Sequence, residues 1–290
     1  MRQRSLGPHA IEVSIVGYGG MHLSITGRPP EADGLRVLHA ALDAGVTLID
    51  TADVYCLDQH DIGHNERLIA RALREWKGDR AGVVVATKGG LVRPSGRWEE
   101  DARPAQLRAA CERSLRALAV DRIDLYQLHA PDPRVPFAES VGALAQLREE
   151  GKIRWVGLSN VDVGQIREAQ AIVPITAVQN RLNPFFREAL DGVVGHCEAE
   201  GIGFLAYSPT GGGRLNLKLP GHPVLGSIAG RHGVSAHAVA LAWVLAQGPT
   251  VLVIPSARKI THALDSVSAA DLRLATDELA AIDAAEFSRA

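Results

Sequence analysis

Eight times along this chain a short run of β-branched or aliphatic residues gives way to a longer segment with helical periodicity. That alternation narrows the fold more than any other feature. The runs are Val13–Gly17, Thr47–Asp50, Val83–Thr87, Ile123–His129, Ile153–Leu158, Ile175–Gln179, Gly203–Tyr207 and Val251–Pro255. Between and after them, helices are predicted over Glu31–Ala44, Asn65–Trp76, Arg103–Leu118, Phe137–Glu150, Asp162–Ala171, Glu188–Glu200, Pro223–Arg231, Ser235–Gln247, Lys259–Ser268 and Thr276–Glu286. Gly45 and Gly151 follow two of them as stops, and Pro104 suits the first turn of another. Strict alternation implies parallel strands joined by right-handed crossovers. Eight such units predict a closed (β/α)8 TIM barrel, which leaves no edge strand. The head, RQRSLGPHAIEVS, predicts an N-terminal β-hairpin plugging the barrel bottom, and the last helices are extra to the eightfold pattern. An open doubly wound sheet is the competing architecture. It calls for a G-x-G-x-x-G turn after the first strand, and GYGGMHLS is not one.

With 290 residues and 46% hydrophobic composition, the chain is long enough to bury a large core without staples. No linker or low-complexity stretch divides it, so residues 1–290 read as one domain. The formal net charge of −2 and the lack of a long basic stretch argue against a nucleic-acid or membrane partner. Cys56, Cys111 and Cys197 are far apart and form no C-x-x-C pair, which excludes a disulfide framework or zinc site as the organising device. Free thiols, and an N-terminus without an apolar signal-like region, make the cytoplasm the expected compartment.

Barrel active sites lie at the C-terminal ends of the strands. There the chain carries Asp50 and, shortly after, Tyr55; then Lys88, His129, the pair Ser159–Asn160, Gln179 and Tyr207–Ser208. One polar residue at a strand end reads equally well as a solvated rim. An acid, a phenol, a lysine and a histidine on consecutive strands converge on one mouth, and their chemistry fits together. A lysine ending an apolar strand needs a partner, which Asp50 provides. Its charge is expected to lower the pKa of Tyr55, making the phenol a better proton donor. His129 is placed to orient a substrate oxygen. A rim ion pair for Lys88 and a satisfied buried polar group for His129 are the plainer readings of each residue alone.

These residues, and the blocks DTADVY (50–55), GHNERLIARAL (63–73), TKGG (87–90), DLYQLH (124–129), GKIRWVGLSN (151–160), VQN (178–180) and AYSP (206–209), resemble the aldo-keto reductase superfamily in content and order over nearly the whole chain. The resemblance implies NADPH-dependent reduction of a carbonyl, with Tyr55 as general acid tuned by Lys88 and Asp50, and His129 orienting the carbonyl. It implies that Ser159, Asn160 and Gln179 hold the nicotinamide carboxamide and that Tyr207 stacks on the ring. It puts Gly20 and Met21 in the cofactor-binding set, with Ser208, Pro209 and Gly211 at the pyrophosphate and Ser256, Arg258 and His262 at the adenosine phosphate. Arginine suits a 2′-phosphate because it binds phosphate bidentately. The stretch departs from the family where His262 replaces a common second arginine, and where Asp265 and Ser266 replace Glu and Asn. A second departure is the insertion Cys56–Asp61 after the catalytic tyrosine, where the family commonly continues Tyr-Gly. It predicts a longer loop beside the mouth, with Cys56 as a small inert residue.

The expected pocket lining includes His22, Trp98 and Phe185, with Met21 and Tyr55 beside them, which favours apolar or planar carbonyl compounds. A monomer is the state the resemblance implies. Two other functions share the fold: a Schiff-base aldolase with Lys88 as nucleophile, and a slow NADPH-binding regulatory or partner-binding protein.

Overall fold

The computed structural model describes residues 1–8 and 11–290. Strands β1 (Gln3–Ser5) and β2 (Glu12–Ser14) form the antiparallel head hairpin. β3 (Tyr18–Gly19), β4 (Leu48–Asp50) and β5 (Val84–Gly89) follow, then a small antiparallel ribbon of β6 (Leu91–Val92) and β7 (Glu99–Glu100). The remaining strands are β8 (Ile123–Leu128), β9 (Ile153–Ser159), β10 (Ile175–Arg181), β11 (Gly203–Tyr207) and β12 (Val251–Val253). Eight of them form one parallel sheet in the order β12-β11-β10-β9-β8-β5-β4-β3. A parallel bridge between Val16 and Val253 joins its two ends, with Gly17 N donating to the Val253 carbonyl at 2.8 Å. The sheet is therefore curled onto itself as an eightfold barrel.

Helices α1 (Glu31–Asp43), α2 (His64–Glu75), α3 (Pro104–Leu118), α4 (Phe137–Glu149), α5 (Val163–Gln170) and α6 (Val193–Ala199) are the outer crossovers of the first seven strands. The one-turn α7 (Gly212–Leu215) precedes α8 (Pro223–His232) and α9 (Ala236–Leu245). α10 (Ile260–Ser268) and α11 (Thr276–Ala284) end the fold. Asp162 caps α5 through a reciprocal box with Gln165. Every residue of α9 but His237 is buried, and its Trp243 donates to Asp283 of α11 at 2.8 Å, fixing the C-terminal helix.

Two predicted elements shift. The run Val13–Gly17 divides: Val13 and Ser14 belong to the hairpin, and barrel pairing begins at Val16 and continues to Gly19. Ser14 is the reason. Its backbone N–H donates to Thr47 Oγ1 at 2.8 Å and its hydroxyl accepts from Thr47 N at 2.9 Å, a polar clasp at the joint of hairpin and barrel. The helix expected over Glu188–Glu200 breaks at Gly192, whose φ of 145° no helix accommodates.

The hairpin seals the bottom. Leu6 is fully buried with Leu48, Leu125, Ala177, Leu205 and Leu252 in the barrel's lower interior. Gly7 has φ +83°, and a Cβ there would lie 2.4 Å from the Thr176 carbonyl oxygen, so only glycine fits this close approach. Among the described residues no helix is long and apolar enough to cross a membrane, and no cluster of His, Cys, Asp or Glu is placed to hold a metal.

Candidate active site

The parallel strands deliver their C-terminal ends to one rim, and the polar strand-end residues meet there. Lys88, on β5, has no exposed surface. A lysine ammonium has three donors, and each has a partner: Asp50 Oδ1 at 2.6 Å, the Thr51 carbonyl at 2.9 Å and Tyr55 Oη at 3.0 Å. Asp50 and Tyr55 are themselves buried, at 2% and 7% exposure. His129 follows β8, its backbone held by Gly89 O at 2.8 Å and its ring edge-on to Tyr55 with centroids 5.8 Å apart. Its Nδ1 is buried and has no partner among the described residues. The four expected groups thus form one contiguous cluster.

Burial sets the protonation states. It opposes charge on Lys88, but Asp50 and Tyr55 overcome it and lift the ammonium pKa above its ordinary value. Burial likewise raises the Tyr55 pKa, and Lys88 offsets this only in part. The expectation that Lys88 makes Tyr55 more acidic than a free phenol is therefore corrected: in this desolvated site the phenol is held protonated. Burial, reinforced by Lys88, drives His129 well below the ordinary imidazole value, so its ring is neutral.

One member of this polar cluster was missed from sequence. Gln127 donates to Asp50 Oδ2 at 3.3 Å, beside Gln179, which donates to the same oxygen at 2.7 Å. The signal was present. Gln127 stands two residues before His129 in one strand, hence on the same face, as a lone amide in an apolar run. Space for it comes from Gly157, its register partner on β9, where a Cβ would sit 2.7 Å from Gln127 Cγ. Gln179, expected at a carboxamide, has its amide nitrogen committed to Asp50 in this arrangement.

Ser159 and Asn160 form the next part of the rim. Asn160 has φ 59°, and its Nδ2 donates to His129 O at 3.0 Å and Ser159 Oγ at 3.1 Å. Its Oδ1 accepts from the Tyr207 hydroxyl at 2.8 Å, so the half-buried Tyr207 ring is tethered at the same edge. Ser208 is also left-handed, at φ 47°, and with Pro209 it leads into Gly211 and Gly212 at φ 96° and 74°. Non-glycine residues in this region are held there at a cost by their surroundings, and such strain gathers at functional sites. On the other side of the rim, Gly20 N donates to Asp50 O at 2.8 Å, and Met21 packs beside Ala52, Val54 and Tyr55. Ser256 accepts from His22 N at 3.4 Å; Arg258 is exposed and reaches Gly27 O at 2.9 Å; His262 is exposed at the start of α10. Burial, then Arg258, lowers the His22 pKa. Asp265 is engaged by Ser235, which caps α9, at 2.7 Å.

Trp98 stands in the β6–β7 turn, 46% exposed, its ring edge-on to Tyr55 at 6.4 Å. Phe185 is not brought to the mouth. It is 5% exposed, packed edge-on against Phe287 at 5.3 Å and close behind Gly211. The inserted loop is pinned from both sides: Arg28 pairs with Asp61 at 2.6 Å, and Arg93 donates to the carbonyls of Cys56 and Leu57. Cys56 is buried and its thiol pKa is pushed up to about 12, so it is not a reactive thiolate.

The aldo/keto reductase family model matches residues 15–286. Solved structures with the same fold include an aldo-keto reductase from Klebsiella pneumoniae in complex with NADPH, at 28% identity and TM-score 0.82, matched over 98% of this chain and 95% of that one. They include the glycerol dehydrogenase from Gluconobacter oxydans, at 30% identity and TM-score 0.81, over 94% and 91%. A third, an aldo-keto reductase from Bacillus halodurans in its holo form, has 27% identity and TM-score 0.79, over 98% and 95%. With a family match across nearly all of its length and a tetrad assembled on the matching strand ends, this chain belongs to the aldo/keto reductase family.

Proposed function

We propose that the protein reduces an aldehyde or ketone to the alcohol, with NADPH as hydride donor and Tyr55 as general acid. The observation that carries this reading is the bridge formed by Lys88, which hydrogen-bonds the Tyr55 hydroxyl while neutralising Asp50. NADPH, when bound, supplies the hydride that reduces the carbonyl carbon. The carbonyl oxygen takes the proton of the Tyr55 hydroxyl as the C=O π electrons move onto it. The phenolate left on Tyr55 is stabilised by the Lys88 N–H already in place. Neutral His129 positions the carbonyl oxygen against Tyr55, and the half-exposed Trp98 forms an apolar wall for the substrate body.

The rim fits the cofactor. Ser159 and Asn160 present amide-binding groups, Tyr207 offers a ring tethered at its hydroxyl, and the left-handed turn from Ser208 to Gly212 leaves backbone open to a pyrophosphate. Exposed Arg258 suits a 2′-phosphate. Relatives in complex with NADPH and in a holo form support the same assignment. The reading carries with it a small-molecule carbonyl partner, a monomer and a cytoplasmic setting. A Schiff-base aldolase is disfavoured because all three Lys88 protons are engaged and its pKa is raised, leaving no free amine to attack.

The test is Tyr55→Phe, assayed with NADPH against aldehydes, quinones and ketones, with cofactor affinity followed by tryptophan fluorescence. The variant is expected to lose about 10² or more in kcat while NADPH affinity stays within about twofold. Turnover at the wild-type rate would overturn the assignment. NADPH binding without turnover by the native chain on any carbonyl would favour a regulatory protein instead.

A further inference from the structure

Beside the mouth lies an open cavity of about 370 Å³, lined by the loop after Tyr55, the β6–β7 ribbon and α3. None of Tyr55, Lys88, His129 or Trp98 lines it. A volume of this size falls in the range of small-molecule pockets, roughly 300–1,000 Å³. Its apolar wall includes Ile62 and Leu91; its polar wall includes Arg93, Arg113, Asp53 and Gln106.

The charges in this wall are not balanced. Arg93 is only 4% exposed, and while its Nη2 donates to the Cys56 and Leu57 carbonyls, Nε and Nη1 are buried without a partner among the described residues. A guanidinium with two buried, unpaired nitrogens is costly to maintain. Arg113 reaches Asp53 only at 3.5 Å, and Asp53 Oδ1 has no partner. Burial and the neighbouring Glu66 push the Asp53 pKa up, which weakens the counter-charge it offers Arg113. Two incompletely paired guanidiniums and an amide around an apolar-walled hollow form a receptor for negative charge.

We propose that this cavity binds a small organic anion, a carboxylate or phosphate monoester on a short apolar body, clamped between Arg93 and Arg113. Its occupancy is felt at the mouth. The Arg93 guanidinium lies 3.9 Å from the Trp98 ring centroid, and Trp98 is the ring packed edge-on to Tyr55. An anion that draws on Arg93 changes the cation against which Trp98 rests.

Calorimetric titration of the full chain with 3-phenylpropionate, phenyl phosphate and neutral 3-phenylpropionamide tests this without any turnover assay. At least one anion is expected to bind, one per chain, and which of the two binds tighter identifies the charged group preferred. The amide is expected not to bind. Arg113→Gln, at a side chain 36% exposed, is expected to weaken anion binding about tenfold or more. Arg93→Gln is expected to weaken it further, and Arg113→Gln decides alone if the buried variant does not fold. Tyr55→Phe is expected to leave the affinity unchanged. Failure of both anions, equal binding of the amide, or affinity indifferent to Arg113→Gln would overturn the site. Loss of binding in Tyr55→Phe would place the anion in the catalytic mouth instead. Tryptophan emission, assigned by difference from Trp98→Phe, is expected to change on saturation; anion binding with Trp98 emission unaltered would refute the coupling to the mouth.

Discussion

Lys88 shows what a single residue was able to disclose from sequence. A lysine closing an apolar strand demands an anion, and Asp50 was the nearest strand-end carboxylate, so their 2.6 Å pair was legible before any coordinates. The direction of the Tyr55 pKa was not, because it depends on burial, which strand-end logic does not supply. Phe185 was misplaced for a similar reason: an aromatic near a mouth and an aromatic packing the loop behind it read alike in sequence. Gln127 was overlooked because attention to strand ends discounted the same face two residues earlier. For the proposed cofactor, Arg258 is the residue to test. Arg258→Ala is expected to raise KM for NADPH about tenfold or more while leaving that for NADH within about twofold, since only the former carries a 2′-phosphate. Steady-state kinetics with both nucleotides would show it, and an equal effect on the two would refute the role.

Strand β9 shows how an element serves the site without supplying a catalytic group. In IRWVGLS the glycine looks like a weak point in a strand. In the barrel it faces Gln127, and its missing side chain lets that amide reach Asp50. Gly157→Ala is expected to lower stability by about 1–3 kcal/mol through overpacking against Gln127. A lower midpoint of urea unfolding at constant m-value would report it; an unchanged midpoint would mean that Gln127 moves aside freely. Most element boundaries followed from periodicity and caps. Those that did not were set by side-chain contacts distant in sequence, such as the Ser14–Thr47 clasp, or by one backbone angle at Gly192. The ribbon carrying Trp98 leaves no mark in the sequence, since β6 and β7 are two residues each and too short for alternation to register.

Across the whole molecule, the least conventional feature is a buried acid pair beneath the rim. Asp53 and Glu66 are both fully buried, and Asp53 Oδ1 and Glu66 Oε2 lack partners among the described residues. Burial, then Glu66, raises the Asp53 pKa to about 8 from an ordinary 3.8, so the folded chain holds a proton that the unfolded chain releases as pH rises. The sign follows: this stabilisation is complete below about pH 4 and is lost as pH climbs through about 8. Asp53→Asn is expected to flatten that decline, so that its Tm exceeds the native value near pH 8 but not near pH 5. Parallel slopes for the two proteins in thermal melts across this range would exclude the linkage. The barrel itself was legible because eight alternating units admit few arrangements. The acid pair was not, because Asp53 and Glu66 sit in two separate blocks that carry only the family resemblance, and nothing in either block shows that they are buried together.

The head hairpin also bears on how this chain acquires its shape during synthesis. Arg2 donates to Ala270 O, and Arg4 to Gly248 O at 2.9 Å and Leu245 O at 3.0 Å, while the ring closes between Val16 and Val253. The head hairpin is therefore bound by segments more than 240 residues further along the chain. Vectorial translation cannot close the barrel piece by piece: β3 must wait, unpaired on one side, until residues 253–255 have emerged. Closure is then a late, long-range event whose entropy is lost before its contacts form. Over that interval the exposed β3 edge is the segment most in need of protection from pairing with other chains.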